Sequence, residues 1–223
     1  MNRLAILGAV ALATQATATV TGLDVDFEGT IWGRDIYSVY VLSNGPNANG
    51  MHDVLLNMIG HTVTNGTMND VLHVDNYASG GTIPGHWNAS YTSASTAPWS
   101  NRWVDSYVTI TGNTGSGAGT ALDPSFGMGD AAGVGGPIPS AAGWYTTNPA
   151  IDILITGGRI KIMQIALAEG STGYTARMHV GYKLQGTMSP LYAMNLTYQV
   201  PAPGGIALLA CAGAGRRRAQ RRA

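Results

Sequence analysis

Cysteine is almost missing from this 223-residue chain: Cys211 is the only one, and none lies between residues 19 and 199. That stretch can form no disulfide and no thiolate metal site. Charge is scarce too, at 11% of residues, while glycine reaches 31 residues. A helical domain needs charged, glycine-poor solvent faces, so this composition points to a turn-rich β protein. No catalytic signature is complete. His52, His61, His73, His86 and His179 show neither His-x-x-x-His nor His-Glu-x-x-His spacing, and read as surface or structurally satisfied histidines rather than metal ligands or bases. The run Gly115-Ser116-Gly117-Ala118-Gly119 lacks the lysine that closes a phosphate loop. It matches only part of a Gly-x-Ser-x-Gly nucleophile elbow.

The formal charge of zero conceals a division. Residues 19–199 hold all 12 acidic groups but only Arg34, Arg102, Arg159, Lys161, Arg177 and Lys183, so the middle carries 6 − 12 = −6. The balancing positives are Arg3, Arg216, Arg217, Arg218, Arg221 and Arg222. An acidic middle argues against nucleic acid as a partner.

What is present is clearest at the two ends. Met1-Asn2-Arg3 forms a basic start, Leu4–Ala13 a short apolar stretch, and Ala16-Thr17-Ala18 places small residues at the −3 and −1 positions. That order predicts a helical secretion signal cut by signal peptidase after Ala18. At the other end, Val200-Pro201-Ala202-Pro203-Gly204-Gly205 breaks regular structure. The small apolar run Ile206–Gly215 follows, well short of the roughly 20 residues that span a bilayer, and then come Arg216, Arg217 and Arg218. Such a basic cluster resists translocation.

This tail resembles the PEP-CTERM sorting signal, in the Val-Pro-Ala-Pro-Gly variant common in planctomycete-type bacteria and also labelled an ice-binding protein C-terminal domain. The resemblance covers Val200–Ala223. It implies recognition of Val200, Pro201, Ala202, Pro203 and Gly204 by an exosortase-like membrane protease, with Ile206–Gly215 as a short hydrophobic helix and Arg216–Arg218 as the basic stop. Ala202 stands where the namesake motif has glutamate.

Between the ends, residues 19–199 alternate with period two, the mark of half-buried strands. Leu23, Val25 and Phe27 alternate with Asp24, Asp26 and Glu28, and the same pattern marks 176–184 and 192–200. In Arg159–Ala168 the apolar phase switches from Ile160 and Ile162 to Met163, Ile165 and Leu167, which predicts a β-bulge. Further strands are expected at 36–42, 54–59, 71–74, 104–111 and 151–156. Asn44-Gly45-Pro46, Asn49-Gly50, Asn65-Gly66 and Gly157-Gly158 read as turns, and Gly112–Gly143 as a surface excursion. Nine or so short strands imply one all-β domain, an antiparallel β-sandwich or jelly roll. Three blocks, Tyr37–Asn44, Asp105–Ile110 and Gly143–Pro149, resemble segments of uncharacterised secreted proteins with the same kind of tail.

The remaining candidates are few. Asp24, Asp26 and Glu28 read as a solvated strand face rather than a glycosidase pair, which faces across a cleft. Asp123 and Asp130 in the glycine-rich segment read as solvated loop residues, with calcium as the alternative and no other cofactor implied. Trp87, Trp99, Trp103, Trp144, Tyr91, Tyr107 and Tyr145 divide between core packing and stacking on sugars. Thr62-Val63-Thr64 and Thr109-Ile110-Thr111 are too few for a regular ice-binding array. The expected function is therefore non-enzymatic: an exported envelope or extracellular-matrix protein. The alternative is a secreted carbohydrate-binding or carbohydrate-active domain with surface polysaccharide as its partner.

Overall fold

Alternating side chains pair into a hairpin at once. Val20–Ile31 (β1) runs antiparallel to Arg34–Ser43 (β2), turning at Trp32-Gly33, where both residues have positive φ. Val39 and Val41 are fully buried on the inner face, while Asp24 and Glu28 are exposed on the other side of the hairpin. The computed structural model describes residues 19–73, 86–89, 104–113, 119–127, 136–147 and 152–202. The expected signal helix and the tail from Pro203 onward lie outside them.

The other strands are Asp53–Gly66 (β3), Tyr107–Val108 (β4), Thr120–Leu122 (β5), Ala142–Thr146 (β6), Ile153–Leu154 (β7), Arg159–Ala168 (β8), Tyr174–Leu184 (β9) and Pro190–Val200 (β10). They form two antiparallel sheets. One is four-stranded in the order β1-β2-β8-β4. The other is six-stranded, β10-β9-β3-β6-β5, with β7 also paired to β3. The chain changes sheet after β2, β3, β4, β7 and β8, so successive segments build opposite layers. This is an all-β, sandwich-like fold, as the alternation and turn spacing imply.

The bulge expected in β8 is present. The register with β2 slips between Val39–Met163 and Tyr40–Lys161, leaving Ile162 as the extra residue. Ile162 and Met163 are consequently both fully buried, and Lys161 and Gln164 are turned to the outer face. Gly157 and Gly158 make the predicted turn with positive φ at both residues.

Other expectations need correction. The Gly112–Gly143 excursion is partly built into the sandwich. Thr120–Leu122 pairs with β6, and Phe126 and Ile138 sit in the core at 5% and 4% exposure. β6 carries the fully buried Trp144. Glycine density hides these short strands because their apolar residues are too few to show a period. Asn65-Gly66 is the end of the long β3 rather than a separating turn. Of 71–74, Val71 makes one bridge, to Leu167, and of 104–111 only Tyr107–Val108 is a strand.

The core between the sheets draws Val39, Val41, Met163, Ile165 and Leu167 from one layer and Leu55, Met58, Trp144, Met178 and Val180 from the other. Burying a Leu, Ile, Val or Met side chain is worth about 1.5–3 kcal/mol, so a core of this size holds the sandwich without a covalent crosslink.

Candidate functional site

Three kinds of site follow from this fold: the two ends of the domain, the polar clusters inside it, and the outward faces of the sheets.

At the N-terminal end, the residue after the expected cut is anchored. Thr19 N–H donates to Asn44 Oδ1 at 2.9 Å, and Asn44 N–H donates to Thr19 O at 3.1 Å. β1 begins one residue later. Ala16 and Ala18, the expected cleavage residues, lie outside the described residues. At the C-terminal end, β10 runs through Val200, which is 1% exposed and part of the core. The sheet thus takes in the first residue of the expected sorting motif. Pro201 has no N–H to continue the ladder, and Pro201 and Ala202 are half-buried. They pack on Gly173, where an added Cβ would lie 2.5 Å from Val200 O and from Ala202 N, and φ is +68°. Pro203, Gly204 and Arg216–Arg218 are outside the described residues.

The histidines separate rather than converge. His61 lies in the core at 1% exposure. Its Nε2 is 2.8 Å from Tyr198 Oη, which donates to Met163 Sδ at 3.7 Å and lies 3.5 Å from Tyr174 Oη. His61 Nδ1 makes no hydrogen bond among the described residues. Burial without a countercharge pushes the imidazole down to about 4 and raises both tyrosines, Tyr174 well above its ordinary value. This is a neutral polar knot between the two sheets.

His73 forms a second knot at the edge of β8. Its Nδ1 donates to Ser106 O at 2.8 Å, which fixes the tautomer, and lies 3.3 Å from Asp105 Oδ1. The ring stacks on Trp87, with centroids 4.4 Å apart. Asp105 is fully buried, and its carbonyl accepts from Gln164 Nε2 at 2.8 Å. Gln164 Oε1 in turn accepts from Lys161 Nζ at 2.8 Å and from Tyr107 Oη at 3.3 Å. Burial lowers the Lys161 ammonium to about 8, with Glu28 working against the shift. An aspartate-oriented histidine is the base half of a catalytic dyad. Here the His73 side chain is 2% exposed, and Ser106 Oγ is occupied by Ala166 N–H at 2.9 Å. The arrangement clamps Leu72–His73 and Val104–Val108 to β8. A cavity of about 370 Å³ beside it is lined by Arg34, Asp70 and His73 among others.

The carboxylates are likewise engaged. Asp26 pairs with Arg159 at 2.5 Å. The Arg159 guanidinium lies over the Tyr40 ring at 4.3 Å, and Tyr40 Oη donates to Glu28 at 3.2 Å. Asp123 Oδ1 accepts from Ser125 N–H at 2.9 Å and caps the 3-10 turn Pro124–Phe126; Asp130 is outside the described residues. Among the described residues, no three His, Asp or Glu side chains gather as a metal site. Asp53 is fully buried, accepts from Ser43 Oγ at 2.7 Å, and is raised by burial. Sequence spacing gives no sign of it, because its partner comes from the preceding strand.

The aromatics divide. Trp87 and Trp144 are fully buried and Tyr107 is 4% exposed, while Tyr145 is 45% exposed. Trp99, Trp103 and Tyr91 lie outside the described residues, as do Gly115–Ala118 of the glycine run. Thr109 is fully buried, which removes it from any surface threonine array. Tyr192, on β10 and outside the candidate aromatics, is also 50% exposed.

Comparison with known protein families, with curated proteins and with solved structures finds no match.

Proposed function

We propose that the chain is an exported bacterial envelope or extracellular-matrix protein with a non-enzymatic structural or binding role, delivered by signal peptidase and sorted through its C-terminal tail by an exosortase-like protease. The observation that carries this reading is a coincidence of boundaries. The first strand opens at Val20, two residues beyond the expected cut at Ala18, and the last closes at Val200, where the sorting motif begins. A folded sandwich bounded in this way is a self-contained cargo. Its buried ionisable groups tie strands together, as the His61–Tyr198 and His73–Asp105 contacts illustrate, which supports a non-catalytic role.

The tail reading assigns separate tasks to its parts. The prolines present an extended segment to a protease, and the arginines hold the far end on the cytoplasmic side. Replacing Arg216, Arg217 and Arg218 with serine sends uncut protein to the medium. Replacing Pro201 and Pro203 with alanine leaves uncut protein in the membrane. Fractionation and intact mass distinguish the two, and normal maturation of both variants would contradict the proposal.

A further inference from the structure

The strand register of the six-stranded sheet aligns four residues in one row across its outer face. Tyr192 on β10 pairs with Gly181 on β9, Gly181 with Asn57 on β3, and Asn57 with Tyr145 on β6. Directly paired residues point to the same side of a sheet. On the three inner strands of the row the neighbours Val180, Met58 and Trp144 are fully buried in the core, so this row faces outward. Tyr145 and Tyr192 are 45% and 50% exposed. Three inter-strand spacings separate them, about 14 Å.

Between the tyrosines the surface is low and polar. Gly181 contributes no side chain, and the Asn57 amide lies across it. A Cβ on Gly181 would collide with Asn57 Oδ1 and meet Tyr192 Cε1 at 3.1 Å. Asn57 is half-buried: its Oδ1 is buried beside Gly181 and makes no hydrogen bond among the described residues, which leaves the Nδ2 end of the amide as the polar group of the row. The row itself contains no charged residue. Lys183, two residues from Gly181, is neutralised by Asp152 at 3.1 Å. The acidic residues Asp24, Asp26 and Glu28 lie on the other sheet.

We infer that this row is a binding platform for an uncharged polysaccharide, whose chain lies across the strands with sugar rings on Tyr145 and Tyr192 and hydroxyls at the Asn57 amide. The chemistry matches on each count. A pyranose offers an apolar C–H face to an aromatic ring and hydroxyls to an amide. Tyrosine supplies that contact area at low conformational cost. An apolar protein or lipid surface would leave the Asn57 Nδ2 N–H groups unpaired as well, at about 1–3 kcal/mol. An acidic polymer would find no cation in the row itself, and Lys183 beside it is already paired. The spacing suits a ligand that repeats along its length, touching both rings with several sugars between them.

The inference rests on the binding role proposed above but not on the route of delivery, and the two fail separately. The test is sedimentation of the purified exported protein with insoluble cellulose, chitin and β-1,3-glucan, beside soluble alginate in affinity electrophoresis and phosphatidylglycerol vesicles. The wild type is expected to bind at least one uncharged polysaccharide and neither of the charged probes. Tyr145→Ala and Tyr192→Ala each lower that affinity about tenfold, close to 1.4 kcal/mol. Tyr145→Phe and Tyr192→Phe keep it, as does Tyr40→Ala on the other sheet. Unchanged thermal melting of the alanine variants shows that the loss is local. Preference for alginate or vesicles, binding to no uncharged polysaccharide, or binding indifferent to both alanine variants would overturn the inference.

Discussion

Asn44 grips Thr19 at both backbone groups: its Oδ1 accepts from Thr19 N–H at 2.9 Å, and its own N–H donates to Thr19 O at 3.1 Å. If export cuts after Ala18, Thr19 N becomes an ammonium held against that amide oxygen, with a free α-amino group titrating near pH 7.7–8.0. Asn44→Asp then creates an ion pair that raises the ammonium's folded pKa. Its stability is fully present below about pH 8 and lost as pH rises through the raised value. Thermal melts of the exported product should show the aspartate variant gaining on wild type at pH 6 relative to pH 10. Asn44→Ala should cost about 1 kcal/mol, or roughly 2–4 °C. Equal effects of Asn44→Asp at both pH values would contradict the seat.

His61 makes the fold acid-sensitive. Its imidazole is pushed down to about 4 in the folded protein, against about 6.5 when unfolded. Above pH 6.5 both states are neutral. As pH falls toward 4, the unfolded chain takes up the proton first, and stability drops by about 3 kcal/mol. Asp53 works the other way, since burial raises its pKa and the folded state protonates first. The comparison is therefore between wild type and His61→Gln. Urea midpoints across pH 7 to 4 should fall more steeply for the wild type, and parallel slopes would refute the assignment.

Gly173 and Gly170 separate backbone strain from collision. Both have positive φ, at +68° and +85°, but only Gly173 has atoms against its missing Cβ, the backbone of Val200–Ala202 at 2.5 Å. Gly170→Ala should cost about 1 kcal/mol through conformation alone. Gly173→Ala should cost at least about 2 kcal/mol more and release the end of β10. Denaturant midpoints measure the first effect, and amide hydrogen exchange at Tyr174 and Val200 the second. Equal costs for the two substitutions would mean that the motif's first residues are not held by the sheet.

Much of the sandwich is legible in residue order because period-two alternation is a local property. The hairpin β1–β2, the bulge at Ile162 and the strands over 174–184 and 190–200 all follow from it. Thr120–Leu122 and Ala142–Thr146 do not, since two or three inward side chains among glycines define no period; only Trp144 hints at a core. The platform row is illegible for another reason. Tyr192, Gly181, Asn57 and Tyr145 come from four strands, and only cross-strand register brings them together. Tyr145 stands out among the aromatics of the middle, but period-two alternation gives no sign that Tyr192 is exposed or that Gly181 lies between the two.

The proposed delivered form of this protein is the β-sandwich bounded by Thr19 and Ala202. Intact-mass measurement of the wild-type protein recovered from the cell surface and medium of the source organism tests it most directly. The expected product begins at Thr19, retains Val200–Ala202, and lacks Arg216–Arg218. A surface protein that still carries those arginines, or one that retains residues 1–18, would contradict it.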